Sequence, residues 1–406
     1  MDTRSIRHPI TKEQFRTRLE CAAKLTAQGY YQLAEELLDN LIQIDPENAS
    51  VWHACGQLRT GQGRWDRVID CHARAVELIE THGTPETNFR EYSVAAMGYA
   101  QALMRFGRFA EGLKYWELGR TYTSWAPWPG CKLWEGQPCD SLLVQAEGGF
   151  GDIFMFMRWL PQAKQRTKQL GFMVFKGMRD LFDWTLFGVD EVYEVNQDRI
   201  DFGRYQYATS VMSLPYRLGM HTVDDIPDYL HRCLTRWFRS ECDPPLVGFC
   251  WRAEENTSPV RTKSLPLEVA QEICDRIYHS QHVKPFSLSP DLHDLYNTNA
   301  INQPDGLVYE PGEMASWKDT INYLLRMDYV LTVDTAVAHL CGVLGVPCLV
   351  LLPVSHCWRW GTQKGSGHTS WWYGPNLKLF VQNKPFEWDA TVITKVVEEE
   401  MASVKA

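Results

Sequence analysis

The 406-residue sequence predicts an α + α/β protein, in which an all-α repeat region of about 120 residues precedes two doubly wound, Rossmann-like lobes. Three observations predict this. Glycine, aromatic and small residues recur in register after positions 29, 63 and 107. The apolar run SLLVQAE (141–147) enters a glycine-rich turn and then a helical stretch. The segment VLTVDTAVAHLCGVLGVPCLVLLP (330–353) reads as strand, turn, helix and strand without interruption.

The bulk composition narrows the class. Apolar content of 45% and charged content of 22% are ordinary for a globular protein with a sizeable core. A net charge of −9 supplies no long-range attraction to nucleic acid or anionic lipid. The 12 cysteines show neither a CxxC pair nor a Cys/His metal spacing, so they read as reduced, buried thiols with no metal site. No signal-peptide run and no stretch of membrane-span length occurs, and a cytoplasmic location is expected.

Residues 1–120 form the first unit. AQGYYQLAEELL from Ala27, GQGRWDRVIDCH from Gly61 and RFGRFAEGLKYW from Arg105 align on Gly29, Gly63 and Gly107. An aromatic follows two residues later (Tyr31, Trp65, Phe109) and a small or modest side chain five residues later (Ala34, Val68, Gly112). In this reading the glycine lets two helices approach, the aromatic plugs the gap and the small residue receives a neighbouring helix. The step from Gly29 to Gly63 is 34 residues, and the region resembles tetratricopeptide repeats over about residues 11–120. The resemblance implies a concave groove for peptides or partner proteins; an array that only caps and stiffens the next domain is the alternative. Residues 121–140, rich in Pro, Gly and Trp, read as an ordered linker packed through Trp125, Trp128 and Trp134.

The first α/β lobe is expected over 141–240. Gly148, Gly149 and Gly151 make a turn that permits close backbone approach, but their spacing matches neither GxGxxG nor a phosphate-loop pattern. Asp152, where the turn enters a helix read over 153–169, is either an N-cap or a general base at a cleft. Strands are expected over 172–176 and 189–195, and TSVMSLPYRLG (209–219) is read as closing the lobe along the cleft edge.

The second lobe is expected over 241–385. LVGFCWRA from Leu246 is a strand, and the polar loop after it offers Arg252, Arg261 and Lys263 as phosphate contacts or as a solvated surface. A helix follows Pro266, a strand covers 283–288, and a helix covers 316–327 with Asp319 and Thr320 capping it. Asp334 and Thr335 end the strand 330–333, and Ala336 begins the helix 336–344. Its first turn presents unpaired N–H groups and a positive dipole end, a site suited to phosphate, with His339 on the face of Thr335. Capping and a satisfied core histidine are the alternatives. CWRWG (357–361) and SWWYG (370–374) bracket a Gly/Ser/Thr loop whose tryptophans are either core or an aromatic rim. A last strand (378–382) and a closing helix within 386–406 complete the chain.

EGGFGD, RWLPQ, VGFCWR, KSLP, MDYVLTVDTAVAHLCGVLGVP, CWRWG and WWYG occur in the order seen in tetratricopeptide proteins whose C-terminal region is similar to ADP-heptose heptosyltransferases, glycosyltransferase family 9. The resemblance spans about residues 125–400, and the chain is also distantly similar to protein O-GlcNAc transferases. It implies a GT-B fold, a nucleotide-diphosphate sugar as donor and inversion at the anomeric carbon. It implies Asp152 as general base, Lys263 with adjacent Ser264 on the donor phosphates, and Asp334, Thr335 and His339 around the diphosphate, with Ala336 where the family often has Gly. The chain lacks an Asp-x-Asp triad, so neither metal nor cofactor is expected. Expected acceptors are a protein or peptide, a lipopolysaccharide core or, less in keeping with the negative charge, a hydroxylated base in phage DNA. The competing expectation is a catalytically inactive repeat scaffold for protein–protein interaction.

Overall fold

Three helix pairs open the chain: α1 (Lys12–Ala27) with α2 (Tyr31–Ile44), α3 (Ala49–Gly61) with α4 (Trp65–His82), and α5 (Phe89–Arg105) with α6 (Phe109–Thr121). The computed structural model describes residues 10–82, 89–121, 130–228, 245–253, 263–281, 284–288, 314, 316–363 and 365–404. The recurring small residues are core: Ala34 and Val68 are buried, and Gly112 lies against Met104. Trp65 and Phe109 are buried as well, and Tyr31 packs on Gly61. The role expected of the glycines is corrected. Gly29, Gly63 and Gly107 have φ of +81°, +65° and +75°, so each ends the first helix of its pair in a conformation that disfavours a Cβ. A Cβ there would meet not the partner helix but residues more than a hundred positions downstream. It would lie 2.7 Å from Phe386 at Gly29, 2.2 Å from Val354 at Gly63 and 3.6 Å from Val223 at Gly107.

The first sheet is wholly parallel, in the order β1-β5-β2-β3-β4. Its strands are β1 (Lys132–Leu133), β2 (Cys139–Gln145), β3 (Thr167–Val174), β4 (Glu191–Glu194) and β5 (Tyr207–Ser210). The connection expected over 121–140 thus contributes β1, and Trp134 is fully buried, while Trp125 and Trp128 lie outside the described residues. Between β2 and β3 run α7 (Phe150–Phe156), one 3₁₀ turn (Met157–Trp159) and α8 (Leu160–Lys164). The helix expected over 153–169 is therefore broken and short. Pro161 begins a new helix but cannot donate within a continuing one, and Thr167 already pairs with Cys139 of β2. TSVMSLPYRLG, expected along the cleft edge, forms the end of β5 and the turns that follow it. Thr209 and Ser210 are buried in β5, between β1 and β2, and α9 (Leu214–Arg217) follows.

The second sheet has the order β10-β11-β9-β8-β6-β7, parallel except for β10 with β11. In chain order the lobe comprises β6 (Leu246–Cys250), α10 (Leu267–Gln281), β7 (Lys284–Ser287), α11 (Trp317–Leu324), β8 (Tyr329–Val333), α12 (Ala336–Leu344), β9 (Cys348–Leu352), β10 (Gly365–Ser370), β11 (Gly374–Val381) and α13 (Ala390–Val404). The Gly/Ser/Thr stretch expected as a loop is strand β10, whose partner β11 supplies the apolar residues that β10 lacks. The N-cap of α11 is Ser316, and Asp319 has the capping role expected of it, closing a capping box from the third helical position; the helix starts at Trp317 rather than at Asp319.

One continuous buried cluster runs from α5 and α6 through the first lobe into the second. Polar ties reinforce it. Arg120 of α6 pairs with Glu117 and Glu147, and Arg217 joins through Glu117 at 3.0 Å. Arg158, in the 3₁₀ turn after α7, donates to the Trp372 carbonyl across the lobes. No helix among the described residues is long and apolar enough to cross a membrane.

Candidate functional site

The glycine-rich turn folds Asp152 back over itself. Gly149 is the N-cap of α7, and its N–H donates to Asp152 Oδ2 at 2.9 Å. Gly148, at φ +77°, lies so close that a Cβ would sit 2.4 Å from that oxygen. Asp152 is thus the third helical residue and not the cap. Its Oδ1 takes an ion pair from Arg359, which sits in the 3₁₀ turn Trp358–Trp360. The side chains of Asp152 and Arg359 are 22% and 13% exposed, so the pair is largely shielded from solvent screening. Arg359 Nη1 is 2.9 Å from Cys357 Sγ, and its guanidinium lies 4.7 Å over the Trp358 ring. Burial, the largest single influence, works against its charge, and Asp152, Cys357 and Asp334 together outweigh it and raise its pKa.

Helix α12 meets α7 directly. A Cβ on Gly151 would lie 2.8 Å from His339 Cδ2 and 3.3 Å from Ala336 Cα, so the first turns of the two helices share one seam. Thr335 caps α12, its Oγ1 accepting the Val337 N–H at 3.2 Å. His339 is buried, with Nδ1 2.7 Å from Tyr373 Oη and its ring stacked on Trp360 at 5.1 Å. Burial drives its pKa down to about 4 against the opposing pull of Asp334, so the imidazole is neutral at pH 7. A Cβ on Gly342 would lie 2.1 Å from Tyr373, so the glycine in AHLCG makes room for the ring that holds His339.

At the end of β8, Asp334 is 7% exposed and its Oδ2 lies 3.1 Å from Lys263 Nζ. Burial, the largest single influence, would raise the carboxyl pKa, and Lys263, His339 and Trp360 together prevail and lower it. Asp334 in turn raises that of Lys263.

The structure therefore brings together Asp152, Gly148, Gly149, Gly151, Lys263, Asp334, Thr335, Ala336 and His339. Ser264 and Arg252 lie beside the segment that leaves β6. Ser264 Oγ takes the Ala253 N–H at 3.1 Å and so pins the strand that leaves β6. Arg252 follows β6 with no side-chain hydrogen bond or ion pair among the described residues. Arg261 lies outside the described residues. Arg359, Trp360 and Tyr373 are the functional candidates that sequence reasoning missed. An arginine between two tryptophans in CWRWG was the available signal, because a charge flanked by buried aromatics needs a buried partner. Trp358, Trp360 and Trp372 are core and not an aromatic rim.

A cavity of about 360 Å³, lined by Ser50, His53, Arg90, Glu91 and Val94, lies between α3 and α5 of the helical array. Among the described residues, no group of three His, Cys, Asp or Glu side chains is placed to hold a metal ion.

No family model matches the chain, and no curated protein matches it. Several solved structures are similar at low identity. Escherichia coli ADP-heptose lipopolysaccharide heptosyltransferase II is 14% identical, with 66% of this chain and 100% of that chain covered, at a TM-score of 0.44. A glycosyl transferase family 9 protein of Veillonella parvula is 11% identical over 66% of this chain and 99% of its own, at 0.45. An O-GlcNAc transferase mutant of Thermobaculum terrenum is 14% identical over 82% and 75%, at 0.28.

Proposed function

We propose that the chain is an inverting glycosyltransferase of GT-B type that moves a sugar from a nucleotide diphosphate to an acceptor hydroxyl without a metal ion, in the cytoplasm. In this reading the acceptor oxygen attacks the anomeric carbon. The bond from that carbon to the diphosphate oxygen breaks, the bonding pair leaves with the nucleoside diphosphate, and the acceptor proton passes to Asp152. Charge growing on the leaving group is met by Lys263 and by the amino end of α12 in a poorly hydrated seam. Neutral His339, held through Nδ1 by the Tyr373 hydroxyl, lines the seam as a further polar group. The helical pairs, read as tetratricopeptide repeats, offer a groove to a protein or peptide acceptor. A lipopolysaccharide core and, less well suited, a hydroxylated DNA base are the other acceptor classes.

The observation that supports this reading most is the contact between the first turns of α7 and α12, which sets the Asp152 carboxylate in the same seam as Lys263 and Asp334. Asp152→Asn tests it. The variant is expected to fold as the parent does and to lose turnover of nucleotide sugar by on the order of 10²–10⁴. Unchanged turnover would remove Asp152 from the mechanism.

One observation favours a second reading, an inactive repeat scaffold: Asp152 and Lys263 are both already engaged in ion pairs. Melting with ADP, UDP, GDP or CDP separates the two. A transferase gains stability with at least one of them, about 2.7 kcal/mol at a hundredfold excess over Kd, and a scaffold gains with none.

A further inference from the structure

We propose that Arg105 of the helical array is a positioning residue for the Asp152 carboxylate, acting through the 356–361 segment and Arg359. The inference rests on the transferase reading above and adds the array to the working parts of the site.

Arg105 ends α5 and is 4% exposed. Its Nη1 donates to the Gly361 carbonyl at 2.9 Å and its Nη2 to the His356 carbonyl at 2.6 Å. Its guanidinium lies 3.8 Å over the ring of Trp65, the first residue of α4. Among the described residues it has no carboxylate partner, and burial pushes its pKa down to about 10. A buried cation without a counterion is poor glue, because an apolar side chain of similar size packs as well without the desolvation penalty. What the planar fork adds is geometry, since it fixes two carbonyl oxygens at once. Those carbonyls bracket a turn whose only charged side chain between them is Arg359, the partner of Asp152.

A second route leads from the array to the same residue. Trp372 Nε1 donates to the Arg359 carbonyl at 2.7 Å, and Phe109 of α6 meets the Trp372 ring edge-on at 5.6 Å. Trp116 of α6 contacts Trp358 in the same manner at 5.9 Å. Gly361, with φ +77°, supplies the sharp exit that lets its carbonyl turn toward α5. His356 ties the segment on its other side, its single ring N–H free to donate to the carbonyl of Pro353 or of Gly361, each 3.0 Å from a ring nitrogen.

The test uses the full chain and four proteins: the parent, Arg105→Gln, Arg359→Ala and the double variant. Hydrogen exchange of the 356–361 amides gives a readout independent of activity. In Arg105→Gln these amides are expected to lose protection while those of α1, α2 and α13 keep theirs. Turnover is then measured on the nucleotide sugar that the parent hydrolyses or transfers best. Arg105→Gln is expected to lower kcat roughly 10–100-fold with donor KM within about threefold of the parent. The double variant is expected to be no slower than Arg359→Ala alone, since both substitutions act on one carboxylate. Arg105→Lys, which keeps the charge and loses the fork, serves if Arg105→Gln does not fold, and it is expected to fall in the same direction. Unchanged exchange over 356–361, or additive losses in kcat, would overturn the proposal. A parent that turns over no nucleotide sugar, yet loosens at 356–361 on Arg105→Gln, would instead overturn the transferase reading and leave the clamp standing as an array–loop tie.

Discussion

Lys263 and Asp334 illustrate how one charge depends on another at the proposed donor site. Asp334 is nearly buried and would resist ionisation alone, whereas the ammonium at 3.1 Å, with His339 and Trp360, reverses that preference. Removing Lys263 strands the carboxylate. Lys263→Met is expected to lower stability by about 1–3 kcal/mol, below the range for a wholly buried pair because Lys263 is 43% exposed. Adding Asp334→Asn is expected to recover most of the loss, and urea denaturation of the single and double variants checks both. Asp152, Lys263, Asp334 and His339 were each legible in the sequence as residue types at suggestive turns. For Arg359 the CWRWG pattern signals the need for a buried partner but not its identity, because that partner lies 207 positions away and no local pattern reports a contact of that range.

The βαβ unit around α12 was read almost to the residue: a β-branched run, a capping Thr335 and a left-handed Gly345 are all local signals. The stretch after α7 was misread because apolar periodicity continues through Pro161, and the start of β3 is decided by pairing with β2. The repeat glycines were found by spacing but assigned the wrong neighbour. Gly63→Ala makes the point measurable. A positive φ disfavours alanine by about 1–2 kcal/mol, and the methyl would also stand 2.2 Å from Val354 Cγ1. The variant is expected to be destabilised by more than Gly177→Ala, where φ is +85° but nothing lies within 4 Å. Val354→Ala is expected to relieve part of the difference, with urea midpoints as the measure.

Three buried histidines, His72, His339 and His356, together with half-buried His53, set how the whole molecule responds to acid. Burial is the leading cause in each, and it holds His53, His339 and His356 down at about 4 and His72 at about 3. Their unfolded counterparts titrate near 6.5. Below that value the unfolded chain takes up protons that the folded chain refuses. Stability is therefore fully present above pH 6.5 and is lost as pH falls toward 4, by up to about 1.4 kcal/mol per pH unit for each histidine. The urea midpoint is expected to be flat from pH 8 to 7 and to fall steeply between pH 6.5 and 5. Because the buried cluster is continuous from α5 and α6 into both lobes, calorimetry is expected to give one transition. A separate early melting of residues 10–121 would contradict that.

Val354, Phe386 and Trp371 occupy the side of the array on which its three interhelical turns lie. Here a fragment beginning near residue 130 would lay bare the apolar bed of those turns together with two carbonyls that Arg105 now satisfies.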